Sequence, residues 1–379
     1  MPWPDFGIRN GDRRSRLAAL AHTPLNFDPG QLGGPGFHPD DYRQSLPPEA
    51  PGPPESGGSW ETAVRLSEAY AFADPSIVEG HFDPLVPLAE RDMLLVLHAA
   101  GLHLYAGVRV HEAGDETRLV DGREARVSFW NYRTLRGHVE AGQRDYEVWK
   151  WLDTGEVEFR THAFSRPAET NLVVRTGFQL LGRHEQAEFG RRACNRMLLL
   201  TTAALRRGDG GKPERAFDGR LLSVYLQDHR AVLVAGRELA ARMGGSGRPQ
   251  AERAFAGELQ ADLVDDLAAL DVLLAQIGRR PDRVRAGGAW LAEKAGRLKL
   301  NGHVVQRSPL SSVTELEGCR MLLEHVRALW SGLALLRLGP DDAQERSERA
   351  VRHLETAERL RETAIEQAIL PPDRVSSSA

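Results

Sequence analysis

Residues 146–151 form a strand-like segment whose side chains could contact a ligand. Successive side chains of an extended strand point to opposite faces, so Glu147, Trp149 and Trp151 share one face and the residues between them share the other. Two tryptophans on one face can line an apolar ligand cavity. The alternative is that they are core aromatics, because large aromatic side chains dominate most protein cores.

Three further side chains nearby could bind a small molecule. His138 lies within reach of cations and a carboxylate in residues 132–140, a composition that suits acid–base chemistry, although a single histidine in a strand is more often structural. Arg166 precedes Pro167 at the end of a strand, where it could bind an anion or pair with a carboxylate at the sheet edge. Tyr132, His138 and Arg166 therefore join the two tryptophans as candidate ligand-binding residues, and no catalytic residue is assigned.

The second half of the chain contains candidate metal ligands on helical segments. They are Asp228, Glu258, Asp262, Glu317 and His325. A metal site in a helical bundle needs carboxylates that face inward on neighbouring helices, usually with Glu-x-x-His on two of them. No Glu-x-x-His occurs in the sequence, and charged helix faces are more often solvated.

Composition and motifs exclude several other functions. The formal net charge is -4, with 49 basic and 53 acidic residues, which argues against nucleic-acid binding. No dinucleotide-binding G-x-G-x-x-G follows a strand, and no P-loop or nucleophile elbow occurs, so the sequence leaves the cofactor unknown. No apolar run is long enough to span a membrane. The two cysteines, Cys194 and Cys319, lie far apart and are expected to be buried free thiols in a cytoplasmic protein.

The first 205 residues carry the pattern of an antiparallel sheet followed by one long helix. Short runs of Val, Leu and aromatic residues, separated by glycine turns, predict strands at 93–98, 102–111, 118–119, 125–132, 136–140, 145–152 and 157–164. Apolar residues at three- and four-residue spacing then predict a helix over 183–206. A sheet with one apolar face needs a cover, and this helix can provide it. Helices are also expected at 13–21 and 60–72, and the Pro- and Gly-rich residues 25–58 are expected to be an extended covering segment or linker.

After a glycine-rich junction at 207–213, the pattern becomes wholly helical. Helices are predicted over 221–243, 251–277, 312–336 and 342–370, with a shorter one over 284–299 in a crossover connection. Long helices with one crossover are typical of a four-helix bundle. The predicted domains are therefore residues 59–206, with 1–58 as their covering segment, and residues 214–372, followed by a disordered tail at 373–379.

Residues 25–205 resemble the uncharacterised family called "domain of unknown function 1990". The residues that carry the resemblance are Asn26-Phe27, Thr134-Leu135-x-Gly137-His138, Ala141-Gly142-Gln143, Thr154-Gly155, Ser165-Arg166-Pro167 and the helix at 191–197. The resemblance implies a helix-grip-like fold, an α+β domain with a curved antiparallel sheet and a long C-terminal helix, similar to a superfamily of hydrophobic-ligand-binding proteins. It implies no activity.

The second half is similar to ferritin-like helical domains. The residues behind this similarity lie at 224–229, 293–302 and 308–310. The similarity implies an all-α four-helix bundle, while the missing Glu-x-x-His motifs put iron chemistry in doubt.

Three functional hypotheses follow from the sequence. The leading one is non-enzymatic binding of an apolar small molecule or lipid in the first domain, with the bundle as an assembly module for a homo-oligomer. The second is a metal-dependent oxidoreductase in the bundle. The third is a structural or stress-related scaffold without a small ligand.

Overall fold

The chain divides into two compact units, one made almost wholly of Met1–Arg220 and one made almost wholly of the residues after it. The computed structural model describes residues 10–99, 102–168, 172–208, 217–277 and 310–370. An antiparallel sheet with three helices forms the first unit, and helices form the second. The architecture is therefore α+β followed by all-α.

Seven strands and three α-helices make up most of the described part of the first unit. The helices are α1 (Asn10–Leu20), α2 (Ser59–Glu68) and α3 (Leu172–Arg207). The strands are β1 (His38–Leu46), β2 (Val78–His81), β3 (Asp92–Ala99), β4 (Leu102–Val120), β5 (Arg123–Thr134), β6 (Glu140–Trp151) and β7 (Val157–Pro167). They form one sheet in the order β1-β7-β6-β5-β4-β3-β2, and every neighbouring pair is antiparallel.

The Pro- and Gly-rich segment is more ordered than its composition predicts. Residues 38–46 form the edge strand β1, in which Tyr42 lies opposite Thr161 of β7. The proline-rich residues that follow are attached to the β6–β7 turn, because the amide of Glu49 donates to the carbonyl of Gly155 (2.9 Å). The prediction of a covering segment or linker missed β1, because its short polar run has no apolar alternation.

Two strand predictions required correction. The predicted break at Gly114 is absent, and β4 runs on to Val120 with only a bulge between Val110 and Glu112. A side chain at Gly114 would collide with the ring of Phe129, so this glycine makes room for an aromatic neighbour and does not form a turn. Residues 136–139, the first four of a predicted strand at 136–140, instead form the β5–β6 turn, with Gly137 at φ +96°, and β6 begins at Glu140.

Helices α2 and α3 cover one face of the sheet, which we call the inner face. A single buried cluster joins Leu66 of α2 and Met197 of α3 to the inward residues of the strands. The close approach of α3 to β1 depends on Gly190, because a side chain there would overlap the ring of Tyr42. The main core of the first unit therefore lies between the sheet and these two helices.

Four long helices make up the described part of the second unit. They are α4 (Gly219–Met243), α5 (Gln250–Gln276), α6 (Ser311–Leu336) and α7 (Ala343–Ile369), each within two residues of its predicted bounds. The predicted helix over 284–299 and the predicted tail lie outside the described residues. None of the described helices is long and apolar enough to cross a membrane.

Side-chain contacts join these helices to one another. Arg230 of α4 donates to Asp271 of α5 (2.6 Å), and Arg346 of α7 donates to the buried Asp266 of α5 (2.8 Å). The buried sulfur atoms of Met243 in α4 and Cys319 in α6 are 3.4 Å apart. Both cysteines of the chain are buried and free, as the sequence predicts.

Candidate functional site

The inner face of the sheet carries a connected set of aromatic and polar side chains. Tyr146 of β6 points inward, with Thr161 of β7 opposite it on one side and Trp130 of β5 on the other. Two residues earlier on β6, Arg144 points the same way and lies opposite Tyr132 of β5. The alternation of side chains along each strand thus brings these residues to one patch beneath the helices.

Tyr146 is the centre of this patch. Its ring centroid is 4.6 Å from that of Phe72 and 4.7 Å from that of Trp130, and Tyr70 approaches it edge-on at 6.1 Å. Tyr146 and Phe72 are fully buried, and Tyr70 is 5% exposed. Such edge and tilted arrangements are the favoured geometries of aromatic pairs.

The hydroxyl groups of this patch are poorly satisfied. Tyr146 donates a long hydrogen bond of 3.5 Å to the hydroxyl of Tyr132. The hydroxyl of Tyr70 lies beside both, and that of Thr161 faces the same cluster, yet neither has a hydrogen-bond partner among the described residues. Burial raises the pKa of Tyr70 and of Tyr146 well above the usual value, so both remain protonated donors.

Arg144 brings a positive charge into the same patch. Its residue is 8% exposed, and its guanidinium lies 5.1 Å from the centre of the Phe189 ring of α3. Among the described residues its Nη1 has no hydrogen-bond partner, and the carboxylate of Glu140 acts on its charge. Because arginine stays charged in proteins, the inner face contains a buried cation with one N–H group unpartnered by those residues.

Lys150, six residues along the same strand face, is satisfied. Its Nζ donates to the carboxylate of Glu49 (2.5 Å) and to the carbonyl of Pro53 (2.9 Å), and both charged side chains are almost fully buried. Among the described residues, Lys150 therefore has a carboxylate partner, whereas Nη1 of Arg144 has no hydrogen-bond partner.

The outer face of the sheet holds a polar groove of about 500 Å³ between β1, β7 and β6. Its outward-pointing lining residues are Asp41, Arg43, Asp145, Glu147, Arg160 and His162.

Most of the groove's charged groups are paired with one another or with neighbouring residues. His162 Nδ1 lies 2.6 Å from Asp41, Arg118 donates to Glu147 (2.7 Å), and Arg160 donates to Glu158 (2.8 Å). Burial raises the pKa of Asp145, which accepts from Gln143. This arrangement is a network of ion pairs, which needs no ligand to satisfy it.

The structure places the two predicted tryptophans on the outer face. Trp149 and Trp151 form a small cluster with Ala125 and Val127, separate from the core under the helices. The guanidinium of Arg160 covers Trp149 at 4.0 Å, which leaves Trp149 5% exposed and Trp151 8% exposed. They therefore do not line a cavity between sheet and helix, and they pack as a second, minor core.

His138 belongs to a hydrogen-bond cluster at one end of the sheet. Its Nδ1 accepts from the amide of Glu140 (3.0 Å), and its pKa falls to about 4 because the ring is buried. Close by, Thr134 donates to Asn26 (2.6 Å) and accepts from the amide of Gly142 (2.9 Å). A side chain at Gly142 would overlap the backbone of β7. These motif residues attach the segment around Asn26 to the β5–β6 turn.

Arg166 lies near the same end of the sheet but not in the inner patch. Its guanidinium covers the ring of Phe37 at 4.8 Å and makes a long contact of 3.5 Å with Gln31. Of the five predicted ligand-binding residues, only Tyr132 lies in the inner patch. Side chains alternate along β6, so Arg144 points to the same inner face as Tyr146 and Lys150. This alternation is the sequence signal that could have identified Arg144 as an inner-face residue.

The predicted metal ligands do not converge. Asp228, Glu258, Glu317 and His325 are exposed. Asp262, which is half-buried, accepts from His353 Nε2 at 2.7 Å. Among the described residues, no group of three acidic, histidine or cysteine side chains is placed to hold a metal ion. The contacts of the second unit thus use these carboxylates as surface groups and ion-pair partners.

The first unit is, by its fold, an α+β domain with an antiparallel sheet. The inner face of this sheet is aromatic and carries a few polar side chains. Residues 23–196 match the family model described as "Domain of unknown function (DUF1990)". The match extends from just before Asn26 into α3 and includes the motif cluster around His138.

A search of curated proteins found no match. Among solved structures, the chain is similar to the one titled "Crystal structure of Ara h 8.0201", at 9% sequence identity and a TM-score of 0.23, over 42% of this chain and 98% of that one. At those values the similarity assigns neither a ligand nor an activity.

Proposed function

We propose that the first unit binds an apolar small molecule on the inner face of its sheet, beneath α3, in a helix-grip-like arrangement and without catalysis. The observation that carries this proposal is the pair of unpartnered hydroxyls, those of Tyr70 and Thr161, within an otherwise aromatic cluster. Ligand sites are typically apolar surfaces with a few placed polar groups, which is the composition of this patch.

A ligand would also offset an energetic cost of this patch. A buried hydroxyl without a partner costs about 1–3 kcal/mol, and native proteins keep few such groups. A bound molecule with one or two polar atoms and an apolar body would satisfy these donors and retain the aromatic contacts. The charged side chains His162, Arg160 and Glu147 of the outer groove already have hydrogen-bond partners, so they do not need a ligand to satisfy them.

Native mass spectrometry of the full chain tests this proposal. We expect a bound mass on the purified protein that disappears on denaturation and is recovered by organic extraction. Thr161→Val keeps the side-chain shape but removes an inner hydroxyl, so it should reduce the bound fraction several-fold. Thr117→Val, at an exposed position of β4, is the matched control. Bare protein that also binds no apolar probe would refute the proposal.

We also propose that the four helices of the second unit form a four-helix bundle that assembles copies of the chain. Its support is the exposure of large apolar side chains, among them Val264, Val272 and Leu335 at 50%, 59% and 81%. Exposed apolar groups in proximity favour protein contacts. Light scattering of the full chain should give a multimeric mass, which Val272→Lys and Leu335→Lys reduce. A monomer at all concentrations contradicts this role.

A further inference from the structure

We infer that the molecule bound on the inner face carries an anionic headgroup, a carboxylate or a phosphate, which pairs with Arg144. This inference rests on the proposed binding function and adds the charge and the position of the polar end of the ligand. It assigns to Arg144 a role that neither the sequence motifs nor the family match includes.

The first argument is the unpartnered donor of a buried charged group. Arg144 is more than nine-tenths buried, and its Nη1 has no partner among the described residues. Burying a charged group without partners costs far more than burying a neutral polar group. Two other buried cations of the described residues have carboxylate partners, since Lys150 pairs with Glu49 and Arg346 with Asp266. Arg91 and Arg196 donate instead to backbone carbonyls. An anionic ligand would give Arg144 a partner like those that Lys150 and Arg346 have within the protein.

The second argument is that most titratable groups around Arg144 are neutral, although the charge of the Glu140 carboxylate also acts on its guanidinium. Burial raises the pKa of Tyr70 and Tyr146 well above the usual value and that of the Cys194 thiol to about 12. All three groups are therefore protonated at neutral pH and supply no negative charge. Phe189, which faces the guanidinium, contributes only the weaker attraction of its ring.

The third argument is the geometry of the donors. A guanidinium presents its N–H groups in a planar fork that matches a carboxylate or phosphate. Tyr132 lies directly across from Arg144 on β5, and the small side chain of Ala163 lies across from it on β7. The hydroxyls of Tyr132, Tyr146 and Tyr70 add donors beside the fork. The rings of Phe72 and Phe159 continue the patch as an apolar surface for a tail.

Three probes with the same tail separate charge from hydrophobicity. Dodecanoate, dodecyl phosphate and dodecanol are titrated into the full chain, with binding followed by calorimetry. We expect at least one of the two anions to bind at least tenfold more tightly than dodecanol. The stronger of the two identifies whether the headgroup is a carboxylate or a phosphate. Acetate and inorganic phosphate should bind weakly, because they lack the tail.

Variants place the headgroup. Truncating one partner of a buried charge pair typically costs about 2–5 kcal/mol, which corresponds to a loss of at least about thirtyfold. Arg144→Met should thus bring the affinity for the anion down to that for dodecanol and leave dodecanol binding unchanged. Arg144→Lys keeps the charge without the fork and should show an intermediate anion preference. Arg160→Met, which removes a guanidinium from the outer face, should change none of these affinities.

Each outcome decides between the two proposals. Equal binding of the anions and dodecanol overturns the inference and leaves the apolar binding function intact. No binding of any probe, together with bare purified protein, overturns both. An anion preference that survives in Arg144→Met, or that disappears in Arg160→Met, places the headgroup elsewhere and overturns the inference. If Arg144→Met does not fold by circular dichroism, the wild-type preference and the Arg144→Lys variant decide.

Discussion

Arg144 and Lys150 show how two cations on one strand face acquire different roles. Lys150 lies where the proline-rich segment crosses the sheet, and Glu49 of that segment neutralises it. Arg144 lies nearer the other end of β6, beneath α3, where its Nη1 has no partner among the described residues and an aromatic ring faces its guanidinium. The first cation is part of the structure, and the second is available to a ligand.

Lys150→Met is expected to destabilise the first unit strongly. It leaves the carboxylate of Glu49 buried without its partner, and breaking a buried pair in this way costs about 3–5 kcal/mol. Urea unfolding followed by tryptophan fluorescence measures the loss, since Trp130, Trp149 and Trp151 all report on this unit.

The double variant Glu49→Gln with Lys150→Met is the control for that measurement. It removes both charges and should recover part of the lost stability. If the single and double variants lose the same stability, the pair is not the source of the effect.

His138 should make the stability of the first unit depend on pH. Its pKa is about 4 in the folded protein, against about 6.5 in an unfolded chain. As the pH falls below 6.5, the unfolded state takes up the proton first, so the folded state loses stability down to about pH 4. Above pH 6.5 there is no such loss.

Linkage predicts a decrease of about 2 kcal/mol between pH 7.5 and pH 5 from this residue. His138→Gln should flatten the dependence of the unfolding free energy on pH over that window. His111→Gln, at an exposed position of β4, should leave the dependence unchanged. A wild-type slope retained in His138→Gln would contradict the assignment.

At the scale of elements, sequence patterns predicted best where burial repeats with a simple period. The four described helices of the second unit and strands β3, β5 and β7 match their predictions closely, because one face of each is regularly apolar. Gly114 misled the prediction, since a glycine that accommodates Phe129 across the sheet looks the same in sequence as a glycine in a turn. The edge strand β1 is polar and becomes ordered only through pairing with β7.

Gly155 of the β6–β7 turn contacts the proline-rich segment at Glu49. Substitution of Gly155 can be compared with substitution of Gly122, a turn glycine without such a contact. Gly155 has φ +76 in the β6–β7 turn, and a side chain there would overlap the carbonyl of Glu49. Gly122 has φ +78 in the β4–β5 turn, with no atom within 4 Å of such a side chain. Gly122→Ala should therefore cost only the backbone strain of about 1–2 kcal/mol.

Gly155→Ala should cost distinctly more, because it also displaces the proline-rich segment from the sheet. Limited proteolysis should show faster cleavage within residues 47–58 in Gly155→Ala and not in Gly122→Ala. Equal unfolding midpoints for the two variants would show that the segment is not held at this turn.

For the whole molecule, the sequence allowed the change from sheet to helices to be recognised but not the location of the site. The two halves differ in hydrophobic period, which is a local property. The inner patch combines residues from β5, β6, β7 and the segment after α2, and which of them lack partners depends on contacts between distant segments. Trp149 and Trp151 illustrate the difficulty, since alternation gave their shared face without saying which face the helices cover.

The first unit should fold without the second, provided that it retains residue 217. Phe217 packs against the core of the first unit, and the guanidinium of Arg196 lies 4.6 Å from its ring centre. A fragment of residues 1–220 should unfold cooperatively, and a fragment of residues 1–208 should melt about 2–6 °C lower, as expected for the loss of about 1–2 kcal/mol in a domain of this size. Scanning calorimetry measures both.

Phe217→Ala in the longer fragment separates the side chain from the added length. It should reproduce most of the difference between the fragments. Identical melting of all three proteins would contradict a role for Phe217.

The pairing of β1 with β7 also determines when the sheet can be completed during synthesis. His38 lies opposite Ser165, so more than a hundred residues must leave the ribosome before β1 meets its neighbour β7. Contacts this distant in sequence form slowly, because a long loop must close before they provide any stability. Until then β1 is exposed as an unpaired strand. The edge of the partly formed sheet of the later strands is exposed as well. The polar composition of β1 limits aggregation during that interval.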